Sequence, residues 1–463
     1  MFELPKKLKL IAAATSLVGL VLLVLAFTAS PGHAADEHNT HDTHAVAHDD
    51  HADHDAHADD HGHDAHADDH GDDHDAHAAH GDAHGDDHDA HGGGHSHLEA
   101  NRPWAALLVA SIFFLSFGIG ALFFLAIQYV AQVGWSAGLL RVMEAMALWV
   151  GVPLLGILFI VIAGGMDMHH LYHAWAEGID VVGHENYDAL IAGKMGYLNF
   201  EFFLGRTIAY LVIWAGAAYL LRRNSLREDA MPKGENLFFT QRKLAALFIV
   251  LYAVTSSTSA WDWIMSIDAH WFSTLFGWYT FAGMFVTAMT GMNLIVIFLR
   301  LGGHLPWVNA NHQHDLGKFV FAFSIFWTYL WFSQYMLIWY SNIPEEVTYY
   351  LPRFFGEYKP LFLTMLVFNF VLPILVLMSR DSKRILGFLA LASVFILSGH
   401  YIDHYVMIMP GTVGNEFGFG MAEIGGILFY LGLFILVVGR NLSKAPLRMV
   451  NHAMNTESEL FHQ

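Results

Sequence analysis

Pro103 to Ala131 reads PWAALLVASIFFLSFGIGALFFLAIQYVA, an apolar run without one charged side chain. An α-helix rises about 1.5 Å per residue, so about 20 such residues cross the ~30 Å hydrocarbon core of a bilayer, and this run has length to spare. Comparable runs recur at about 138–165, 200–222, 242–265, 272–299, 317–341, 359–379, 384–409 and 420–440, and another runs from Leu8 to Ala29. The pattern predicts an all-α, polytopic membrane helix bundle of about ten transmembrane helices. Composition agrees: 55% of the 463 residues are hydrophobic and 14% charged, against about 25% charged in soluble domains. Pro153 and Pro373 fall inside spans and are expected to kink them. There is no cysteine, which excludes disulfides, Cys-ligated iron–sulfur clusters and haem attached through a C-x-x-C-H motif.

The formal charge of −20 is local. Residues 33–97 hold 19 of the 43 Asp and Glu and 20 of the 32 His, with no Lys or Arg, which leaves the rest of the chain near neutrality. That tract, typified by His51-Ala52-Asp53-His54, has almost nothing apolar to bury and is expected to be a disordered His/Asp-rich extramembrane segment. Its composition gives loose metal affinity or a metal-buffering role, because a true site fixes three or four ligands in geometry. The expected organisation is an N-terminal transmembrane helix in 1–32, the His/Asp-rich segment in 33–98, a nine-helix membrane bundle in 99–443 and a tail in 444–463. Lys6, Lys7 and Lys9 make the first helix signal-like, but its apolar core is longer than a signal peptide needs, so it is read as retained. Eighteen of the 23 Lys and Arg fall on one side if the N-terminus is cytoplasmic. The positive-inside rule then places both termini in the cytoplasm and the His/Asp segment on the other side.

With that topology, ionisable residues gather at the outer ends of the spans. Asp167, His169, His170 and His173 follow the third span, and Glu201 and Arg206 open the fourth. Asp262, Asp268 and His270 lie around the junction of the fifth and sixth, Glu345 and Glu346 follow the seventh, and Glu416 and Glu423 begin the tenth. Charge at membrane depth is costly and marks functional candidates, less strongly near the interface. His400, Asp403 and His404 have i, i+3, i+4 spacing on one helix face, which suits a proton relay, a hydrogen bond to a quinone carbonyl or metal binding, with interfacial packing as the plain alternative. A b-type haem would need a second His on a facing helix, and no spacing selects one. Asp262, flanked by Trp261 and Trp263, is expected to have its pKa raised by burial and to exchange protons. The plainer reading of that stretch is an aromatic belt with Asp268 capping a helix that starts near Trp271. Thr255, Ser256, Ser257, Thr258 and Ser259 put hydroxyls all round the fifth span, for helix packing or for a hydrated path toward Asp262. Arg141 and Glu144 form an i, i+3 pair read as structural. The proton-path candidates are thus Asp262, Thr255, Ser256, Thr258, Ser259, Asp268, His270 and Glu423. The quinol or proton candidates are His400, Asp403, His404, Asp167, His169 and Arg206, and no fixed metal site is assigned. A divalent-metal transporter, with the His/Asp tract as its buffer, is the competing reading from another class.

Four stretches carry a resemblance. Trp261–Tyr279 (WDWIMSIDAHWFSTLFGWY), Phe326–Tyr340 (FWTYLWFSQYMLIWY), Asn342–Thr348 (NIPEEVT) and Gly399–Asp403 (GHYID) closely resemble the membrane subunits of alternative complex III, the bacterial quinol:electron acceptor oxidoreductase. That family is related to the membrane anchors of polysulfide and nitrite reductases. The likeness covers spans two to ten. Of the family's two homologous membrane subunits the chain resembles the F-type, in its His-rich insert after the first helix and in Lys444-Ala445-Pro446-Leu447. Ala269 departs from the proline of the family pattern, which bears on the local turn. The resemblance implies a multi-pass subunit of the bacterial inner membrane, its His/Asp segment periplasmic, structural and a candidate proton path, with no redox centre or cofactor of its own. The implied partners are the homologous quinol-site membrane subunit, an iron–sulfur subunit with its clusters, c-type cytochrome subunits with their haem, and a terminal oxidase. The lipid bilayer is its solvent, nucleic acid has no place, and quinol is a candidate ligand assigned mainly to the other membrane subunit.

Overall fold

The computed structural model of the chain describes residues 2–29, 91–175, 187–415 and 418–462, the side chains of 91–99 apart. Glu416 and almost all of the His/Asp-rich segment lie outside the described residues. Among those described there is no strand, and ten helices are long and apolar enough to cross a membrane: α1 (Lys6–Ala29), α2 (Ala100–Val130), α3 (Trp135–Gly164), α4 (Phe200–Asp229), α5 (Phe238–Trp263), α6 (Phe276–Leu301), α7 (Ala310–Ser341), α8 (Lys359–Leu377), α9 (Leu386–Val413) and α10 (Met421–Ser443). The chain is therefore the expected all-helical, multi-pass membrane bundle. Both chain ends lie at one end of it, here the terminal end; the α3–α4, α5–α6, α7–α8 and α9–α10 connections lie at the other, the distal end.

Helices α2 and α6 form the centre, with 94% and 83% of their most apolar stretches buried, and α2 packs on α3, α5, α6, α9 and α10. The outer helices turn Leu17, Val212, Val250 and Leu375 outward, a surface suited to acyl chains rather than water. Helix α1 lies antiparallel on α10. A Cβ on Gly432 would run into the backbone of Ala12 and Ser16, and one on Gly425 would meet Leu23 N at 2.9 Å. Glycine at these places lets the two backbones approach, the usual means of helix association in lipid.

The two expected proline kinks take the form of altered backbone bonding. A 3₁₀ turn at Leu148–Val150 precedes Pro153, and a π turn at Val367–Val371 precedes Pro373; both re-route the bond that the missing proline N–H leaves open. A third proline, Pro410, lies inside α9. The carbonyl it frees, that of Val406, accepts instead from Arg353 Nε at 2.9 Å.

At the terminal end the Arg141–Glu144 pair belongs to a larger buried network. Arg141 Nη1 and Arg222 Nη1 both donate to Glu144 Oε2, at 3.0 and 2.6 Å, and Asp229 closes on Arg141. The tail folds back onto this end. Ser458 Oγ donates to Trp135 O (2.8 Å) and accepts from Gly138 N (3.1 Å), while Asn451 Nδ2 donates to Glu228 O and Met231 O (2.9 and 2.8 Å). His452 is buried there beside Tyr129 and Phe238, its Nδ1 accepting from Met454 N. Burial, reinforced by nearby Arg141, pulls its pKa from 6.5 to about 4. The unfolded imidazole takes a proton below 6.5 while the folded one stays neutral, so stability is lost as the pH falls from 6.5 to 4, by about 1.4 kcal/mol per unit and about 3 kcal/mol in all. In mild detergent the unfolding temperature should therefore drop between about pH 7 and about pH 4.5, and His452→Phe should make that drop shallower. An unchanged slope would show that His452 does not set it.

Candidate functional site

Asp403 sits in the distal half of α9, buried. Tyr279 of α6 donates its hydroxyl to Oδ1, and Trp327 of α7 donates Nε1 to Oδ2 at 3.1 Å. His400, one turn earlier, holds Nδ1 3.8 Å from Oδ2, beyond hydrogen-bond reach. Neither ring nitrogen of His400 has a hydrogen-bond partner, and neither does the side-chain amide of Asn369, which lies against Gly399. Along α7, Gln334, Trp331, Trp327 and Ser324 follow at helical spacing on this side. Gln334 donates to the Tyr350 hydroxyl (3.1 Å) but leaves Oε1 open, and Trp331 Nε1 and Ser324 Oγ are open too. Buried polar atoms in proteins nearly always find partners, and leaving them unpaired at low dielectric is costly. Their concentration around one carboxylate sets this place apart from the apolar packing of α2.

The expected triplet is divided by this arrangement. His400 and Asp403 share a site, but His404 turns to α2, with its Nδ1 donating to His400 O (2.7 Å) and its ring 6.0 Å from that of Phe113.

Asp262 forms the second buried site, at the distal end of α5. Its carboxylate takes two parallel bonds from Arg206, Nε to Oδ2 at 2.9 Å and Nη2 to Oδ1 at 2.8 Å, and a third from Tyr210 at 2.6 Å. The Arg206 guanidinium lies 3.8 Å from the Tyr197 ring centre and 4.2 Å from that of Phe202. Asp262 is thus half of a bidentate ion pair joining α4 to α5, where the sequence suggested a lone acid between two indoles. The hydroxyls below it turn back on their own helix: Thr255, Thr258, Ser256 and Ser259 all donate to carbonyls three or four residues earlier, and Thr255 also accepts from Trp214 Nε1. Of these, Thr258 also approaches the Tyr210 hydroxyl that bonds Asp262.

The remaining candidates hold the distal loops. Asp268 does not cap the next helix, which begins at Phe276 with no side-chain cap; it pairs with Arg353 at 3.1 Å. His270 is exposed and pairs with Asp188 (2.6 Å), whose carboxylate also caps the short helix Ala189–Ala192, so that His270 holds the Asp188 pKa below its usual value. Glu423 accepts from Arg102 Nε (3.1 Å) and from Gly420 N (2.7 Å), which caps α10 and ties it to α2. Buried His169 bonds Ile160 O through Nε2 (2.9 Å), and burial pulls its pKa down. Asp167 sits at positive φ in the turn after α3. A cavity of about 440 Å³ beside that turn is lined by Asp167, His169, His170, His173 and Asn199. Of the quinol or proton candidates it gathers Asp167 and His169; Arg206 is committed to Asp262, and the α9 residues lie elsewhere.

Sequence reasoning did not single out Tyr279, Trp327, Tyr210 and Arg353, the donors that complete these sites. The signal was present: each lies in or beside a stretch where aromatic residues with polar tips crowd an apolar span, and a buried Tyr or Trp needs an acceptor. Among the described residues no three His, Asp or Glu side chains converge in a way that could hold a metal ion. The chain matches no protein-family model and no curated protein.

Proposed function

We propose that the chain is the F-type integral membrane subunit of an alternative complex III, a quinol:electron acceptor oxidoreductase of the bacterial inner membrane. In this reading it carries no redox centre, and the distal end is the periplasmic face on which cluster- and haem-bearing partners sit. One observation supports it above the others. Three of the four stretches that resemble that family, far apart in sequence, meet at one carboxylate: Tyr279 from the first and Trp327 from the second both donate to Asp403 of the last. The cysteine-free sequence fits a subunit whose electron carriers belong to its neighbours. The divalent-metal transporter remains the second reading, but it has no ligand cluster among the described residues.

Of the two buried carboxylates, Asp403 rather than Asp262 takes the proton role in this proposal. Asp262 is held by Arg206 and Tyr210, whereas Asp403 has only neutral donors and the open His400 ring beside it. A tagged chain purified from native membranes should bring down partners with c-type haem absorbance and iron–sulfur signals; a stable, isolated monomer would count against the assignment. In the intact complex, Asp403→Asn should lower the protons moved per electron while partner recovery stays as in the wild type. Unchanged stoichiometry would remove Asp403 from the proton path.

A further inference from the structure

A groove of about 870 Å³ runs between the α1–α10 pair and the faces of α6 and α9, lined by Phe2, Leu4, Leu8, Phe298, Leu397 and Leu431 among others. Its walls are apolar almost throughout. Protein interiors are close-packed, and an apolar space excludes water, so hydrocarbon is the matching occupant.

The terminal end of the groove supplies the second observation. Leu4 and Leu8, which line it, flank the exposed Lys6 and Lys7 and are followed by the exposed Lys9, and Gly439 and Leu442 flank the exposed Arg440. These three lysines fall at the first turn of α1, which contains no acid, and Glu3 just ahead of it sets a single negative charge against three positive ones. A helix start already carries partial positive charge and unpaired N–H groups, so three cations there are unfavourable unless an anion sits nearby. At the other end, among the described residues that line the groove, the open side-chain polar atom is the Tyr401 hydroxyl, since Ser398 donates to Val394 O at 3.0 Å. A quinone head needs donors for two carbonyls, and the groove offers one. We infer that the groove is a phospholipid site: acyl chain along α6 and α9, anionic phosphate at the first turn of α1. The site is independent of the complex assigned above.

Native mass spectrometry of the full chain, with whatever partners accompany it in mild detergent, tests this with added phosphatidylglycerol and phosphatidylcholine. The wild type should retain phosphatidylglycerol about tenfold more than phosphatidylcholine. Replacing Lys6, Lys7 and Lys9 by Gln should erase that preference. Leu397→Trp should fill the groove and abolish retention, while Leu375→Trp, which adds the same bulk on the exposed face of α8, should leave it unchanged. Leu431→Trp, at the rim, replaces Leu397→Trp if that variant does not fold. Equal retention of both lipids by the wild type, or undiminished retention in the groove-filled variant, would overturn the site. So would a co-purifying quinone that is lost in Tyr401→Phe.

Discussion

Asp262→Leu should destabilise the chain by about 3–5 kcal/mol, because it leaves the Arg206 guanidinium buried without its carboxylate. The size of the effect comes from what remains rather than from what is removed. Arg206 donates twice to Asp262 and once to Tyr197 O (3.1 Å), and its side chain is 11% exposed. Arginine keeps its proton under all ordinary conditions, so it cannot escape the cost by neutralising. Tyr210 would lose its acceptor as well. The double variant Arg206→Met/Asp262→Leu removes both charges and should regain most of the loss, since an apolar pair of similar volume often replaces a buried ion pair at little cost. Denaturant titration in mild detergent of the wild type, Asp262→Leu, Arg206→Met and the double variant gives the four stabilities needed for the cycle. If the single variant is as stable as the double, the pair is not the clamp between α4 and α5 that its geometry indicates. The same result bears on function. A carboxylate whose loss unfolds the helix pair is a poor place to look for a proton-translocation phenotype, which is why that test falls on Asp403.

How much of this was legible beforehand depended on the range of the interaction. The ten spans follow from local hydropathy, and each is set by its own residues against the bilayer. The depth of Asp262 and Asp403 was also legible, because topology alone fixes which end of a span a residue occupies. Partners were not. Arg206 and Asp262 are 56 positions apart, and Tyr279 and Asp403 are 124 apart; which helices neighbour each other is decided by packing among several nearly equivalent apolar faces. The i, i+3, i+4 rule placed His400, Asp403 and His404 on one face, yet that face is wide enough to divide between α2 and the α6–α7 seam. At Thr255–Ser259 the sequence left helix packing and a hydrated path both open, and the bonds seen there are local. Ser and Thr in a helix can bond their own backbone, and in lipid that is their cheapest option. Pro410 shows the converse, since a proline inside a span announces an orphaned carbonyl without saying who will meet it.

Arg353 meets it, and its replacement is the second large effect expected. The side chain is 1% exposed and spends all its nitrogens: Nε on Val406 O (2.9 Å), Nη1 on Tyr349 O (2.6 Å), and Nη2 on Met407 O (3.0 Å) and Asp268 Oδ2 (3.1 Å). Its guanidinium also lies 3.5 Å from the Tyr349 ring centre, and Tyr349 stacks on Trp271 at 4.0 Å. One cation thus joins the π turn at Leu351–Phe355, the α5–α6 connection and the proline-broken turn of α9. Arg353→Met should cost about 3–5 kcal/mol, and Arg353→Lys nearly as much, because a point charge cannot reproduce the planar fork. The decisive variant is Pro410→Ala. In the wild type it should be neutral or slightly harmful, since Val406 O already has a donor and the stiffening of the unfolded chain by proline is lost. In the Arg353→Met background it restores the backbone N–H that α9 lacks and should recover about 1 kcal/mol. A change of sign between the two backgrounds is what a shared carbonyl requires. If Pro410→Ala has the same effect in both, the contact between Arg353 and the broken turn is incidental, and the stability of the distal end must come from the Asp268 pair alone.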